Sequence, residues 1–421
     1  MHKIKPIAIY LPQYHPIPEN DQAWGAGFTE WNNVKQAQPL FEGHYQPHIP
    51  HQNVGYYDLS DPEVLVRQAA MAKEYGIYGF AYYHYWFNGK RLLNTPLDNM
   101  LKLGKPDFPF CYIWANENWT KRWDGLDNEI IIKQGYSFED DRNHIKFLCE
   151  HVFSDKRYIT IDDKPVFIVY RTELFPDIKK TATIWREEVK KHGFPDIYLI
   201  RVERLSTNLN PQQINFDAAL EFAPSCYKVD DRIHLKLEKN STVLDYNETV
   251  LNTILEPSKA YKLFKNVFPS WDNTPRGKFH ATLFYGISPE VFEYFLRQAI
   301  KYTREKFSIQ EQFFFVNAWN EWGEGCHLEP DRKYGFAFLE CCKRAVNEFE
   351  LNGYSENFFF LNYFKKVEEK AAKQRLKMEC LKKQIIELQN SKTYKLGNFL
   401  ISPFRSIHKF LIYGLNCPHE P

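Results

Sequence analysis

The feature that most constrains the fold is a repeated alternation of short apolar runs with amphipathic helical segments. The runs are continuous in apolar residues, which is typical of parallel strands buried on both faces. We predict eight strands: Ile7–Leu11, Ile77–Tyr83, Phe110–Trp114, Val166–Tyr170, Ile197–Val202, Ala218–Phe222, Tyr261–Phe268 and Phe313–Ala318. Eight strands alternating with helices over roughly 350 residues predict a (β/α)₈ barrel. A doubly wound open sheet is the alternative, because periodicity does not reveal whether a sheet closes.

Helix boundary signals separate the predicted strands. The run Asp61-Pro62-Glu63 is a typical helix start, and Gly76 is a typical helix end. A second helix opens at Ser288-Pro289-Glu290 and is predicted to bury one apolar face, formed by Phe292, Phe295, Leu296 and Ile300. The connection after the first strand, from about Pro12 to Ser60, is too long for a plain barrel connection and predicts a lid or a small inserted domain.

The C-terminal part of the chain has a different pattern. A stripe that is apolar except at Gln374 alternates spacings of three and four, at Phe364, Val367, Ala371, Gln374, Met378, Leu381, Ile385 and Leu388. We therefore predict a barrel domain over residues 1–355, a coiled-coil-like helix over 360–390 and an amphipathic basic tail over 391–421. The stripe over 364–388 predicts a homo-oligomer, with a helix packed back on the barrel as the alternative. The apolar and basic side chains of 391–415 predict peripheral contact with an anionic membrane.

Composition excludes several classes of protein. The chain has 54 basic and 53 acidic residues, so no net field attracts nucleic acid. No run of about 18 apolar residues predicts a membrane-spanning helix. Residues 1–10 lack the apolar core of an export signal, and the eight cysteines contain no C-x-x-C pair. We therefore expect free thiols and a cytoplasmic location, at the inner face of the cell membrane.

Two carboxylates, Glu321 and Glu324, directly follow the last predicted strand. Barrels of this type place their reacting residues at the carboxyl ends of strands, and side chains three apart on a turn share a face. Glycosidic chemistry needs two such groups, and the neighbouring Trp322 would raise a carboxyl pKa by desolvation. We predict that Glu321 and Glu324 are catalytic. A turn carrying two solvated glutamates is the structural alternative.

Aromatic and hydrogen-bonding residues cluster after three other predicted strands. One cluster is Trp114-Ala115-Asn116-Glu117-Asn118-Trp119, followed by Arg122-Trp123-Asp124-Gly125. The others are Tyr82-Tyr83-His84-Tyr85-Trp86 and Trp271-Asp272-Asn273-Thr274-Pro275-Arg276. By position we interpret them as sugar subsites. Glu117 is the rival for the catalytic role, and its structural alternative is a salt bridge to Arg122.

The sequence predicts neither a metal nor a cofactor. The spacing of His44, His48 and His51 is compatible with a metal site, but no Cys or carboxylate pattern accompanies it. Loop hydrogen bonds or sugar contacts are the expected roles of these histidines. The glycine-rich fingerprints of dinucleotide and nucleoside triphosphate sites are missing from the sequence.

Taken together, these clusters resemble the WbsX family, which is related to glycoside hydrolase family 99. The resemblance is carried by six segments over roughly residues 5 to 350: Ile9-Tyr10-Leu11-Pro12-Gln13-Tyr14-His15, Gly27-Phe28-Thr29-Glu30-Trp31, Gly79-Phe80-Ala81-Tyr82-Tyr83-His84-Tyr85-Trp86, Trp114-Ala115-Asn116-Glu117-Asn118-Trp119, Trp271-Asp272-Asn273-Thr274-Pro275-Arg276 and Trp319-Asn320-Glu321-Trp322-Gly323-Glu324-Gly325. It implies a (β/α)₈ barrel that acts in bacterial surface polysaccharide metabolism, often O-antigen or capsule assembly.

The resemblance also implies roles for individual residues. Family 99 enzymes are retaining endo-acting α-mannosidases and mannanases. By that likeness Glu321 would be the base acting on the sugar 2-hydroxyl, through a 1,2-anhydro intermediate, and Glu324 the general acid/base. Family 99 has a histidine where this chain has Gly323. The residues expected to bind glycan are Tyr10, Tyr14, His15, Trp31, Tyr83, His84, Trp86, Trp114, Asn116, Glu117, Trp119, Trp271, Asp272, Arg276, Asn320 and Trp322.

Three functions compete at this level. The first is an enzyme that makes or breaks glycosidic bonds of a mannoside-like glycan or lipid-linked oligosaccharide, by retaining chemistry at the glutamate pair. The second is a WbsX-type glycosyltransferase that uses an activated sugar donor. The third is a non-catalytic glycan-binding barrel, which would not need both glutamates.

Overall fold

The structure is a computed structural model that describes residues 4–121, 126–205, 209–227, 235–236 and 241–352. The predicted helix over 360–390, the predicted tail and the segment Arg122–Gly125 lie outside these residues. Within them, no helix is long and apolar enough to cross a membrane.

Nine parallel strands form a nearly closed barrel. They are β1 Lys5–Tyr10, β2 Gly79–Phe87, β3 Phe110–Trp114, β4 Lys164–Val169, β5 Tyr198–Glu203, β6 Ala218–Glu221, β7 Leu263–Phe264, β8 Asn266–Val267 and β9 Phe313–Val316. Their spatial order is β7-β6-β5-β4-β3-β2-β1-β9-β8. The two end strands are separated along the chain by Lys265 alone, so one segment joins both edges of the sheet. The predicted barrel is confirmed, and the alternative of a doubly wound open sheet is wrong.

The predicted seventh strand is split into β7 and β8. Its first half pairs with β6, with Ala219 opposite Leu263, and its second half pairs with β9, with Val267 opposite Val316. The chain changes partner at Lys265, whose Nζ lies 2.6 Å from Glu221 Oε1. The split follows from closure, because this segment must pair with different strands on its two sides.

Within the part of the chain that the structure describes, ten α-helices accompany the strands. They are α1 Pro18–Trp24, α2 Trp31–Gln36, α3 Pro62–Glu74, α4 Thr95–Leu103, α5 Phe138–Leu148, α6 Ile178–Lys191, α7 Tyr246–Leu255, α8 Thr274–Gly277, α9 Pro289–Lys306 and α10 Ala337–Asn352. The side chain of Asp61 caps α3 by accepting from Glu63 N, and Ser288 caps α9 by accepting from Val291 N. The predicted apolar face of α9 is buried.

Short strands outside the barrel form turns and small sheets. They are Lys90–Leu92, Trp119–Lys121, Leu126–Ile132, Thr160–Ile161, Leu235–Lys236, Thr242–Asp245, Thr282–Tyr285, Asn320–Glu321 and Cys326–His327. The last two pair as an antiparallel hairpin directly after β9.

The long connection after β1 carries α1 and α2 and packs against that hairpin. The Trp31 ring lies 4.3 Å from the Tyr14 ring and 5.6 Å from the Trp322 ring, and its Nε1 donates to Tyr57 O. This aromatic packing fixes the start of α2, and therefore Glu30, next to the residues that follow β9.

Candidate active site

The two predicted catalytic glutamates lie in the hairpin after β9. Glu321 pairs with Cys326 across the hairpin, and one 3₁₀ turn, Trp322–Glu324, connects the two short strands. Gly325 closes the turn in the left-handed conformation, with φ of 56°. A turn this tight places the side chains of Glu321 and Glu324 on the same side.

Arg276 of α8 is the centre of a buried charge cluster. Its Nη1 donates to Glu324 Oε1 at 2.6 Å, and its Nη2 donates to Glu321 Oε2 at 2.9 Å. The same guanidinium also makes a two-pronged contact with Glu30, through Nε to one carboxylate oxygen and through Nη2 to the other at 2.8 Å. One cation therefore holds three carboxylates in place.

Burial differs among the three carboxylates. The Glu30 side chain is 0% exposed and Glu321 is 6% exposed, whereas Glu324 is 22% exposed. Burial raises the pKa of Glu321 well above its ordinary value; the nearby Glu324 and Glu30 raise it further, and Arg276 opposes them. Glu321 is therefore not a solvated turn residue, and its carboxyl group keeps its proton to a higher pH than a solvated glutamate does.

Gly323 makes room for this cluster. A Cβ atom at this position would lie 2.0 Å from Glu30 Oε1 and 2.9 Å from Arg276 Nε. The Glu30–Arg276 pair thus fills the space that a side chain at position 323 would need. Any side chain at position 323 would therefore have to displace the Glu30–Arg276 pair.

Tyrosines and a glutamine surround the glutamate pair. Tyr14 Oη accepts from Trp322 N at 3.1 Å, and Gln13 Nε2 donates to Tyr85 Oη at 2.6 Å. Burial raises the pKa of Tyr83, and Glu321 raises it further, so Tyr83 stays a neutral hydroxyl. These groups can donate hydrogen bonds to a ligand or to the carboxylates.

A second buried network lies behind the hairpin. The carboxylate of Glu329 accepts from Tyr57 Oη at 2.8 Å and from Trp322 Nε1 at 2.8 Å. Two further donors are Gln68 Nε2 at 2.7 Å and Trp319 Nε1 at 3.2 Å. Burial raises the pKa of Glu329 to about 7. This network fixes Trp322 from behind, so its indole is a support and not an open stacking surface.

Tyr10 and Asn320 belong to the same supporting layer. Tyr10 Oη donates to Gln68 Oε1 at 2.6 Å. Asn320 ties the hairpin to the end of β1, because Leu11 N donates to its Oδ1 and its Nδ2 donates to Leu11 O. Both side chains are fully buried, so the structure places them beneath the cluster and not at a ligand surface.

Strand parity separates the residues predicted after β2. Side chains alternate between the two faces of a strand. Tyr83 and Tyr85 lie on the face of the glutamate pair, as their electrostatic interactions with Glu321 indicate. His84 and Trp86 lie on the opposite face, where both stack on His144 of α5. The structure therefore does not bring His84 and Trp86 to the cluster.

The residues predicted after β3 are divided in the same way. Trp114 is fully buried against His144 and Trp185, away from the cluster. The amide of Asn116 bridges to the backbone of Arg171, which fixes the loop after β3. The carboxylate of Glu117 pairs with Arg171, and Arg122, its predicted partner, lies outside the described residues. Trp119 packs edge-on against Tyr85 at 5.2 Å, next to the cluster.

Asp272 is fully engaged within the protein. Its Oδ2 accepts from Gln46 Nε2 at 2.7 Å and lies 2.6 Å from His44 Nε2, while its Oδ1 accepts from Thr274 Oγ1 at 2.5 Å. Its backbone N donates to Glu324 O. Asp272 therefore positions Glu324 and α8, and His44 is its partner.

Three further predicted residues have distinct positions. His15 is buried, which lowers its pKa, and Trp31 is buried in the aromatic packing described above. Trp271 is partly exposed and accepts from Phe284 N through its carbonyl. Of the three, Trp271 is the side chain that a ligand can reach.

Glu30 is the site residue that the sequence analysis missed. It lies in Gly27-Phe28-Thr29-Glu30-Trp31, one of the segments that carried the family resemblance, but the aromatic residue beside it was favoured for sugar contact. The signal that could have indicated Glu30 is that it is the one charged residue in this otherwise uncharged segment.

Comparison with known proteins connects this site to a family. The sequence profile described as "Glycosyltransferase WbsX" matches residues 6–342. The chain is 38% identical over 344 residues to "Uncharacterized protein WxcX" of Xanthomonas campestris pv. campestris, in two strains. The match covers 81% of this chain and 49% of each relative, so the chain spans about half the length of the curated relatives it matches.

Solved structures share the fold. The GH99 endo-alpha-mannosidase from Bacteroides thetaiotaomicron has a TM-score of 0.51 and 14% sequence identity, over 82% of this chain and 97% of that one. A structure described as "Glycoside hydrolase-like protein" has a TM-score of 0.52 and 14% identity, over 82% and 94% of the two chains. At this identity the likeness establishes the barrel fold.

Proposed function

This chain belongs to the WbsX glycosyltransferase family, and from that premise we propose that it is a carbohydrate-active enzyme of polysaccharide metabolism. Its reaction makes or breaks a glycosidic bond in a mannoside-like glycan or lipid-linked oligosaccharide. The observation that carries the proposal is the convergence of Glu321 and Glu324 on Arg276 at the end of β9. The mannoside class is suggested by the endo-α-mannosidase of the same fold.

The different environments of the two glutamates support different roles. Glu321 is buried with a raised pKa, which makes its ionised form a strong base for the sugar 2-hydroxyl. Glu324 is more exposed, so it is the group that can reach the leaving oxygen. The reactive form of the pair holds one proton in total, on Glu324, and the protein reaches it when the pH is high enough to ionise Glu321.

The reaction proceeds in two steps. First, Glu321 takes the proton of the 2-hydroxyl, the 2-oxygen attacks the anomeric carbon, and Glu324 protonates the departing oxygen as its bond to that carbon breaks. Second, water or an acceptor hydroxyl attacks the anomeric carbon and opens the 1,2-anhydro ring. Glu324 takes the proton of the attacking group, and Glu321 returns its proton to the 2-oxygen. Two inversions give overall retention, and Arg276 offsets the charge while Glu321 is ionised.

Replacement of each glutamate tests this assignment. Purified full-length protein is screened with labelled α-mannosides and with nucleotide-sugars, and products are identified. Glu321→Gln and Glu324→Gln are each expected to lose about 10²–10⁴ in rate while keeping the native circular dichroism spectrum. Glu117→Gln is the matched control, since Glu117 also follows a barrel strand but pairs with Arg171. Loss of turnover in Glu117→Gln, with activity kept in the other two, would overturn the assignment.

The description of the family favours a second candidate, a glycosyltransferase with an activated sugar donor. Release of a nucleotide during turnover would identify it, whereas transfer or hydrolysis starting from a glycoside identifies the first. A third candidate, a non-catalytic glycan-binding barrel, predicts glycan binding without turnover, unchanged in Glu321→Gln and Glu324→Gln.

A further inference from the structure

Three buried side chains form a potential ligand set behind the catalytic hairpin. They are His48 from the long connection after β1, His327 from the hairpin and Asp331 from the turn that follows it. One ligand atom from each lies within 4.8 Å of the other two. The cluster is separate from the Arg276 cluster, and among the described residues it is where three such atoms meet.

The protonation of His327 is fixed by its backbone partner. Its Nδ1 lies 2.8 Å from the Glu329 carbonyl oxygen, which can only accept, so Nδ1 carries the proton. Its Nε2 is hydrogen-bonded to His48 Nδ1 at 2.9 Å, and a cation bound by both nitrogens would replace this hydrogen bond. A histidine oriented by a carbonyl in this way is the usual arrangement of a metal ligand.

Asp331 contributes an oxygen without a hydrogen-bond donor. Its Oδ1 accepts from Tyr334 N at 2.6 Å, but within the described chain no donor meets its Oδ2 with hydrogen-bonding geometry. Asp331 is only 2% exposed. The Tyr45 hydroxyl acts on the Asp331 carboxylate but does not meet Oδ2 with hydrogen-bonding geometry. A buried carboxylate oxygen without such a partner is costly, and a bound cation would satisfy it.

We propose that His48, His327 and Asp331 bind a divalent transition-metal ion, with Zn²⁺ as the best fit and a water molecule as the fourth ligand. Two imidazoles and one carboxylate are a ligand set that Zn²⁺ prefers. Ligands of one Zn²⁺ ion stand about 3.3 Å apart, so the two histidines need to separate by only a few tenths of an ångström.

The surroundings favour a divalent charge. The carboxylate of Asp272 acts electrostatically on His48 and that of Asp331 acts on His327, against one nearby ammonium, Lys333. The imidazole of His48 is held by stacking on the Tyr45 ring at 4.6 Å. The site is therefore rigid as well as negatively charged.

Other histidines in the protein lack one of these features. His84 and His144 are also buried with their Nε2 atoms 2.9 Å apart, but no third ligand atom joins them to form a comparable group in the described residues. His44 is bonded to Asp272, and the His51 ring packs against Phe336. The ion would thus join the long connection to the hairpin that carries Glu321, as a structural bridge independent of the reaction itself.

The test uses untagged full-length protein. Bound metal is measured by mass spectrometry, removed with a chelator, and replaced by titration with Co²⁺. We expect about one Co²⁺ per chain with the visible absorption of a four-coordinate site, its displacement by Zn²⁺, and a rise in Tm of about 5 °C at saturating Zn²⁺.

Two variants make the test specific. Asp331→Asn keeps the acceptor for Tyr334 N and replaces the free oxygen with an amide nitrogen, so it is expected to fold as the wild type does and to bind Co²⁺ at least tenfold more weakly. His51→Ala, in the same connection, is expected to bind Co²⁺ as the wild type does. If the wild type gives neither the Co²⁺ spectrum nor the Tm shift, or if Asp331→Asn binds Co²⁺ as tightly as the wild type, the three residues are a hydrogen-bonded cluster and the proposal is wrong.

Discussion

Replacing Glu321 with glutamine should make the protein more stable at neutral pH, by about 2–4 kcal/mol, although it removes a group that we propose to be catalytic. The ionised carboxylate of Glu321 loses its hydration on folding, and its attraction to Arg276 is largely offset by repulsion from the neighbouring carboxylates. Glutamine has nearly the same shape but carries no charge, so it avoids this cost. Catalytic groups of this kind are kept at the expense of stability.

The magnitude follows from the contacts around Arg276. Glu321 Oε2 lies 2.9 Å from Arg276 Nη2, which at an effective dielectric constant of about 20 is an attraction of about 6 kcal/mol. Glu30 binds the same nitrogen at 2.8 Å, so the two carboxylate oxygens are within about 6 Å and repel by about 3 kcal/mol. Glu324 binds the neighbouring nitrogen, within about 8 Å, and adds about 2 kcal/mol of repulsion. These effects nearly cancel and leave the desolvation cost of several kcal/mol.

The pH dependence has a definite sign. Folding raises the pKa of Glu321. The contribution of Glu321 to the stability of the protein is therefore fully present below its ordinary pKa of about 4.5, and it is lost as the pH rises towards the pKa in the folded protein. Glutamine does not titrate. The stability difference between the variant and the wild type should therefore be near zero at about pH 4 and increase in favour of the variant as pH rises.

Urea denaturation of full-length protein from about pH 4 to 9, followed by tryptophan fluorescence, measures this difference. Glu324→Gln is the matched control, since its side chain is 22% exposed and the gain should be smaller. A Glu321→Gln protein less stable than the wild type at pH 8, or a difference that does not change with pH, would refute the reasoning.

Three further outcomes are expected. Glu30→Gln removes a charge that repels Glu321, so the acid limb of the pH profile of kcat/KM, on whichever labelled glycoside is turned over, should move down by about two pH units; an unchanged limb contradicts this. Gly323→Ala forces a Cβ against Glu30 and should cost at least about 3 kcal/mol in urea denaturation, most of it recovered in the double variant with Glu30→Ala. Truncation after Glu350 should abolish flotation with anionic liposomes and lower the mass measured by light scattering, if 391–415 binds the inner face of the membrane and the preceding stripe assembles; equal behaviour of both forms argues against this.

The barrel fold could be predicted from the sequence because the features that determine its strands and helices are local or periodic. Continuous apolar runs identified the barrel strands, and the Asp61 and Ser288 caps identified two helix starts. The pairing of Glu321 with Glu324 could also be predicted from the sequence, because they are three positions apart and directly follow β9. Closure of the sheet could not be predicted from these patterns, because it depends on β7 and β8 pairing with two different strands.

The environment of the glutamate pair was decided by the tertiary structure alone. Arg276 meets Glu30 across 246 positions of sequence, and such a contact leaves no trace in periodicity or spacing. The same holds for the face on which a side chain lies: Tyr83 and His84 are neighbours in a strand that is buried on both faces, so hydrophobicity cannot distinguish the inner side from the outer. The sequence by itself determined the strands and the acid pair. Three-dimensional packing decided which cation, carboxylate and tyrosines set the pKa of that pair, because electrostatic interactions depend on distance in space and not along the chain.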